Sequence, residues 1–456
     1  MTTDVASTID GLRAAFDSGR TRSLDWRRQQ LDGIATLVRD HEHQLCEALE
    51  ADFGKPAFDT WLTELSLVKE EATHAAKHLR RWMRPSRHRV PMVAQPSKAW
   101  TEPEPLGVVL VISPWNYPVQ LLLAPAVAAL AAGNAVALKP SELAPATSAV
   151  LAELVPRHLD PEAVAVVEGG VDVTTDLLAQ PWDHILFTGS TRVGQVVMEA
   201  AAKHLTPVTL ELGGKSPTLV AADADLEVAA RRVAWGKYMN AGQTCIAPDY
   251  VLVEEAVADR FTDLLVAELT RLRDEADATG IVNERHLARL EGLLEGHGGE
   301  ELLPRKVDRE TRVMAPVVVR QPDLDSPVMG EEIFGPILPV LEVGSVDEAI
   351  AFVRARPRPL ALYAFTGSKA TERAVLDRTH AGSVCLNHVL YQAAVTTLPF
   401  GGIGPSGMGA YHGEAGFDTF SHAKPVLKRP TRLDPSFAYP PYPEKVQNLL
   451  RRLTRW

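Results

Sequence analysis

The segment from Pro105 to Leu138 carries no charged side chain, and this constrains the fold more than any other feature of the chain. A stretch of that length without charge either crosses a membrane or lies in a core. A spanning helix wants about 20 consecutive strongly apolar residues. Here Pro114, Trp115, Asn116, Pro118, Pro125, Gly133 and Asn134 interrupt the run, and much of its second half is alanine. The segment therefore reads as a buried strand, a turn and a buried helix. Val108–Ile112 is continuously apolar, as a parallel strand covered on both faces should be. A second strand at 135–138, a helix, a strand at 163–167, another helix and a strand at 184–187 complete an alternation of strand and helix. That alternation is the texture of a doubly wound α/β sheet.

With 456 residues the chain exceeds one ordinary core and implies two or three domains. A second alternating region begins near Val208 and runs to about Pro399, with strands such as Tyr250–Val253 and Val317–Val319. Up to about Arg81 the pattern has helical period, as in Leu31, Ile34, Leu37 and Val38. Prolines at 85, 91, 96, 103 and 105 then leave only short extended pieces, which reads as an arm or hairpin. Phe400–Gly416 is a Gly/Pro-rich loop. In the tail, Val446, Leu449, Leu450 and Leu453 fall on one helical face, with Lys445, Arg451, Arg452 and Arg455 around them. This helix either packs on its own subunit or a partner, which is the favoured reading, or lies on a membrane surface. No internal repeat is present.

A formal net charge of −11 argues against a nucleic-acid partner. The basic cluster around Arg80–Arg84 and Arg87–Arg89 is read as a solvated or subunit-facing surface. Cys46, Cys245 and Cys385 are far apart in sequence. They make no disulfide framework, and no metal-ligand spacing occurs, so no metal site is expected. A reducing compartment, the cytoplasm, fits this usage. The N-terminus carries Asp4, Asp10 and Arg13 without an uninterrupted apolar core, which argues against a secretory signal.

Five places carry candidate chemistry. Gly189-Ser190-Thr191-Arg192-Val193-Gly194 follows a strand and opens a helix, where backbone amides can face a pyrophosphate; Thr191 replaces the middle glycine of the usual pattern. Lys139-Pro140-Ser141-Glu142 follows another strand, so that a lysine and a carboxylate could reach ribose hydroxyls. Its alternative is a helix start capped by Ser141. Glu211 lies between Leu210 and Leu212, before two glycines; a buried carboxylate must be paired or used, and Lys215 is the candidate pair. Asn116, between Pro114 and Pro118, offers a neutral amide donor suited to an oxyanion, or else belongs to a rigid turn. Cys245, after Gly242-Gln243-Thr244, would by itself be presumed a small buried hydrophobe, as are Cys46 and Cys385.

Together these segments resemble the aldehyde dehydrogenase superfamily: Pro114–Pro118, Phe187–Gly194, Leu210–Pro217, Gly242–Cys245, Glu332–Pro336, and Leu398–Gly402 with Ser406–Gly409. Tyr411–Gly413 and Phe417–His422 are similar to the class-3 branch of fatty, aromatic and coniferyl aldehyde dehydrogenases. The resemblance implies a Rossmann-like NAD-binding domain (1–84 and 106–209), an α/β catalytic domain (210–398), and a small β oligomerisation arm with the C-terminal tail (85–105 and 399–456). It implies Cys245 as nucleophile, Asn116 and the Cys245 N–H as oxyanion donors, and Glu211 as the base that activates water. It also implies NAD or NADP held by Trp115, Lys139, Glu142, Gly189, Ser190, Thr191, Gly194, Leu212, Glu332 and Phe334. Glu142 would repel a 2′-phosphate, yet the branch uses both cofactors. A long-chain aliphatic or aromatic aldehyde and a homodimer are the implied partners, with Tyr117, Gln120, Leu121 and the loop 387–394 lining the tunnel. Glu211 disfavours a CoA-acylating relative, and Glu332–Pro336 disfavours a γ-glutamyl phosphate reductase; a non-catalytic binding role is the alternative of another class.

Overall fold

The computed structural model describes residues 5–434 and 439–453. The apolar run Val108–Ile112 is wholly buried and forms an interior strand of a six-stranded sheet. Ala135–Lys139 and then Val164–Val166 lie parallel on one side of it; His184–Thr188 and Val208–Glu211 lie parallel on the other. Gly407–Met408 closes that edge antiparallel. The alanine-rich stretch is the helix Gln120–Ala132, buried from Leu121 to its end, and Gly133 terminates it in a left-handed conformation. The N-terminal helices Leu24–Asp40, Glu42–Phe53 and Ser66–Trp82 pack on it and on the helix Pro145–His158.

The second sheet has seven strands, in the order Glu300–Glu301, Val317–Arg320, Ile337–Val343, Tyr250–Glu254, Pro217–Val220, Ala361–Phe365 and Ser383–Leu386. All pairs are parallel except the first. Ser86–His88, Lys98–Pro105 and Ser421–Lys428 make a separate antiparallel ribbon. Among the described residues no helix is long and apolar enough to cross a membrane, and Pro105–Leu138 is core.

Two local readings change, and the tail helix stands as read. Val208–Glu211 does not open the second region: it pairs with Ile185–Thr188 and completes the first sheet. The chain first crosses to the second sheet over Leu212–Ser216, and returns to the first between Leu386 and Gly407. The Phe400–Gly416 segment is a loop with one short strand, Gly407–Met408, and an antiparallel bridge from Phe400 to Tyr411. The tail forms the helix Glu444–Leu453 beside the turn Met92–Ala94. Arg455 and the side chains of residues 449, 450 and 453 lie outside the described residues.

Ser141 does not cap the helix Pro145–His158; its hydroxyl accepts the Leu143 N–H at 3.2 Å. The cap comes from Asp52, whose carboxylate accepts the N–H groups of Ala146 (3.0 Å) and Thr147 (2.9 Å) and the Thr147 hydroxyl (2.8 Å). Removing such an acceptor costs about 1–2 kcal/mol. Asp52→Ala should lower the thermal midpoint by a few degrees and Asp52→Asn by less; an unchanged midpoint in Asp52→Ala would show that the cap contributes nothing.

Candidate active site

In an open α/β sheet, ligands lie beyond the carboxyl ends of the strands, where strand order reverses. Here that point falls between Val108–Ile112 and His184–Thr188. The segments leaving those two strands are Ser113–Pro118 and Gly189–Thr191. One strand further out, Val208–Glu211 ends on Glu211, and its carbonyl accepts the Gly189 N–H at 3.0 Å.

Gly189 is required by its own strand, because a Cβ there would lie 2.5 Å from the Phe187 ring. Ser190 caps the helix Thr191–Ala202, its hydroxyl accepting the Val193 N–H at 3.4 Å. Gly194 has a packing role: a side chain would meet Leu212 at 2.7 Å. Thr191, Gly213, Gly214 and Glu332 line one cleft of about 560 Å³. Lys139 is buried at the end of the neighbouring strand, 3.5 Å from the Glu142 carboxylate, and burial lowers its pKa. An exposed helix start, a buried lysine beside a carboxylate and a cleft walled by bare glycines suit a dinucleotide.

Glu332 stands on the far wall of that cleft. Its carboxylate rests against the Cα of Gly213, where a Cβ would come within 2.0 Å. It accepts the Gly214 N–H, but Oε1 has no partner among the described residues. Burial, and then the nearby Asp249 charge, push its pKa up to about 8. Lys215 does not pair with Glu211. It binds Asp249 and the carbonyls of Val328 (2.9 Å) and Glu331 (2.8 Å), tying the crossing segment to the Glu332 loop. Phe334, at φ 48°, sets its ring edge-on to Trp115 at 5.4 Å.

Cys245 follows a turn in which Asn240, Ala241 and Gly242 are all left-handed, at φ 52°, 53° and 70°. Single residues of this conformation are common; three in succession must be held by their surroundings. The Asn240 amide donates to the carbonyls of Asn116 (2.9 Å) and Gln243 (3.2 Å). Gln243 Nε2 donates to Asn240 (3.1 Å) and Gly280 (3.0 Å), and its Oε1 accepts the Val282 N–H (3.0 Å). Gly242 must be glycine, since a Cβ would lie 2.3 Å from the Gly335 carbonyl. The cysteine loop is thus clamped between Asn116 and the Glu332–Pro336 segment.

Asn116 is buried, and one of its amide N–H groups donates to the Gln243 carbonyl at 3.0 Å. An amide has a second N–H to give. The Cys245 thiol faces the N–H groups of Cys245 and Ile246, which lower its pKa; burial, then Glu332, then Glu211 raise it further, so the net shift is upward. Glu211 is 2% exposed and neither oxygen has a partner among the described residues. Its pKa is held well above the ordinary carboxylate range by desolvation.

On the other side of Cys245 opens a second cavity of about 240 Å³. Tyr117, Gln120, Leu121 and the 387–394 loop line it as expected; Leu62, Leu67, Trp235, Met239, Phe400 and His412 were not foreseen. The N-terminal wall is unreadable in the sequence because the helical residues that line the cavity look like any amphipathic face. Lys237 was also missed. It is 1% exposed, its Nζ has no partner among the described residues, and burial lowers its pKa to about 8. Cys46 is buried and Cys385 half-buried. No group of three or more metal-ligating side chains occurs among the described residues.

A dinucleotide-type sheet joined to a second α/β sheet across a thiol defines a two-cleft oxidoreductase architecture. The sequence pattern of the aldehyde dehydrogenase family matches residues 1–426, and the chain belongs to that family. It is 44% identical over 464 residues to aldehyde dehydrogenase family 3 member H1 of Arabidopsis thaliana, covering 99% of this chain and 95% of that one. It is 43% identical over 453 residues to the dimeric NADP-preferring aldehyde dehydrogenase of Rattus norvegicus, covering 97% and 99%. The substrate-bound structure of Staphylococcus aureus AldH superposes with a TM-score of 0.95 at 37% identity, covering 99% and 100%. The protein is an oxidoreductase that acts on aldehydes with NAD or NADP.

The electrostatics give a test of the site. Glu332 is ionised at pH 9, above its value of about 8, and there opposes the Cys245 thiolate. Alkylation of Cys245 by iodoacetamide in the cofactor-free enzyme should climb through the alkaline range without a plateau at neutral pH. Glu332→Gln should quicken it at pH 9 and leave it nearly unchanged at pH 6.5. Equal rates at both pH values would remove Glu332 from the thiol's surroundings.

Proposed function

We propose that the protein oxidises a long-chain aliphatic or aromatic aldehyde to its carboxylic acid through a thioester on Cys245. The observation that supports this best is the setting of that thiol: on the wall of a mainly apolar cavity, within reach of the charge of an unpartnered, buried Glu211. Cys245, as thiolate, adds to the aldehyde carbon. The second N–H of Asn116 and the Cys245 N–H hold the oxyanion. The dinucleotide-side residues would hold NAD or NADP, which would supply the hydride acceptor; the thiohemiacetal carbon on Cys245, on giving up its hydride, becomes the carbonyl carbon of a thioester. Glu211 then takes a proton from water, which attacks the thioester carbon and releases the carboxylate. A carboxylate kept unpaired and dry is a stronger base once ionised than one tied to Lys215.

The remaining assignments belong to the same reading. Trp115, Lys139, Glu142, Gly189, Ser190, Thr191, Gly194 and Leu212 would shape the dinucleotide side, with Glu332 on the nicotinamide ribose and Phe334 beside that ring. Both cofactors remain open to this site, because Lys139 and Glu142 exert opposite charges on a 2′-phosphate. Residues 1–84 and 106–209, extended to the strand end at Glu211, would act as the cofactor domain and the chain from there to 398 as the catalytic domain, with 85–105 and 399–456 serving assembly and the tail. Ser421–Lys428 is an edge strand with Leu427 exposed, which suits a second copy of the chain. We place the enzyme in the cytoplasm on its cysteine usage, and leave the tail helix packed against protein rather than lipid.

Cys245→Ala should abolish turnover while cofactor binding persists. Glu211→Gln should still give a burst of NADH near one per site, with steady turnover slowed by about 10²-fold or more; a native steady rate would exclude Glu211 as the base. Across straight-chain aldehydes, kcat/KM should rise about three- to fourfold per methylene until the cavity fills, from about 0.8 kcal/mol per buried methylene. A flat series would argue against the apolar cavity as the substrate site. Light scattering should return twice the chain mass.

A further inference from the structure

Behind Asn116 and Tyr117 lies an ion pair that the catalytic scheme does not use. Lys55 and Glu64 are 1% and 0% exposed and meet at 2.6 Å. Glu64 falls in the five-residue π-helical turn Trp61–Leu65, an irregularity often found beside functional sites. Its neighbours Leu62, Thr63, Ser66 and Leu67 line the substrate-side cavity, while Glu64 itself turns inward.

Each contact of this pair leads to the residues that flank Asn116. The helix Gln120–Ala132 has no cap of its own, and Glu64 Oε2 accepts the N–H groups of Val119 (2.8 Å) and Gln120 (3.2 Å) at its start. The remaining oxygen, Oε1, takes Lys55. The Lys55 ammonium stands 4.4 Å over the Tyr117 ring, and the Tyr117 hydroxyl meets the Thr244 hydroxyl at 2.6 Å, one residue before Cys245. The Asn240 amide holds the Asn116 carbonyl from the opposite side. A buried ion pair adds little net stability over an apolar pair of the same shape, so its placement needs another reason.

We infer that Lys55 and Glu64 are positioning residues for the oxyanion donor: together they set the angle at which the 116–120 turn presents the Asn116 amide to the carbon held by Cys245. This rests on the assignment of Asn116 as that donor. The pair touches neither substrate nor cofactor and acts through Asn116 and Tyr117.

The test is a cycle of variants in the full-length enzyme. Lys55→Met/Glu64→Gln removes both charges, keeps an acceptor for the Val119 N–H and strands no lone charge. It should hold the native thermal midpoint and NAD(P) affinity, yet lower kcat/KM for the aldehyde about 10- to 100-fold, the size of effect that a small misplacement of a reacting group produces. In an Asn116→Ala background the same pair of substitutions should cost nothing further, because residues acting through one group are not additive. Native kcat/KM in a folded pair variant, or losses that multiply in the combined variant, would overturn the inference while leaving Asn116 in place. Undiminished turnover in Asn116→Ala alone would instead remove the oxyanion assignment. If the pair variant loses its thermal midpoint, Lys55→Arg, which keeps the charge but changes the shape of the head that faces Glu64 and the Tyr117 ring, should restore the midpoint and leave the rate low. Restored midpoint without restored rate also supports positioning, whereas equal loss and equal recovery of the two mark a structural role only.

Discussion

Desolvation of unpaired polar groups is the constraint on which this structure turns. Burying a polar atom without a hydrogen bond is costly, and folded proteins avoid it nearly everywhere. Around Cys245 the avoidance fails in concert: both oxygens of Glu211, Oε1 of Glu332, Oδ1 of Asn116 and Nζ of Lys237 have no partner among the described residues. The pKa directions follow from that dryness, upward for the two carboxylates and the thiol and downward for the lysine. Two well-packed sheets carry the cost.

Holding such groups apart requires a backbone that does not relax. The left-handed run Asn240–Gly242 is fixed by side-chain amides on one side and by the Gly335 carbonyl on the other. Gly213 gives up its side chain so that the Glu332 carboxylate can lie against the main chain. Lys215, in contrast, is fully engaged with Asp249 and two carbonyls. The cation nearest in sequence to Glu211 is thereby occupied, and the Glu211 carboxylate keeps no partner among the described residues.

Much of this was legible in the sequence, and the reason is local. Strands buried on both faces write themselves as unbroken apolar runs, so Val108–Ile112 and its neighbours could be read directly. The candidate groups Asn116, Lys139, Gly189 and Glu211 stand at or just past strand ends, which a strand reading locates. What escaped depends on partners distant in the chain. Asp52 caps a helix 94 residues on, the edge strand Gly407–Met408 pairs with Leu210 and Glu211, and Glu64 serves a helix start 55 residues away. Val208–Glu211 was assigned to the wrong region for the same reason, since a four-residue strand does not declare its neighbour. The π-helical turn that aims Glu64 has no compositional mark at all.

The pairing of Gly407 with Glu211 has a consequence for biosynthesis. The first sheet can assemble most of its strands once the ribosome has passed residue 211, but its edge beside Glu211 stays open until the chain is almost finished. A Cβ at Gly407 would sit 2.2 Å from the Leu210 carbonyl, so that late strand closes tightly. On the proposed reading of Glu211 as the base, a nascent or truncated chain that already displays the thiol would lack the covered carboxylate that the hydrolytic step needs, until its final strands pair.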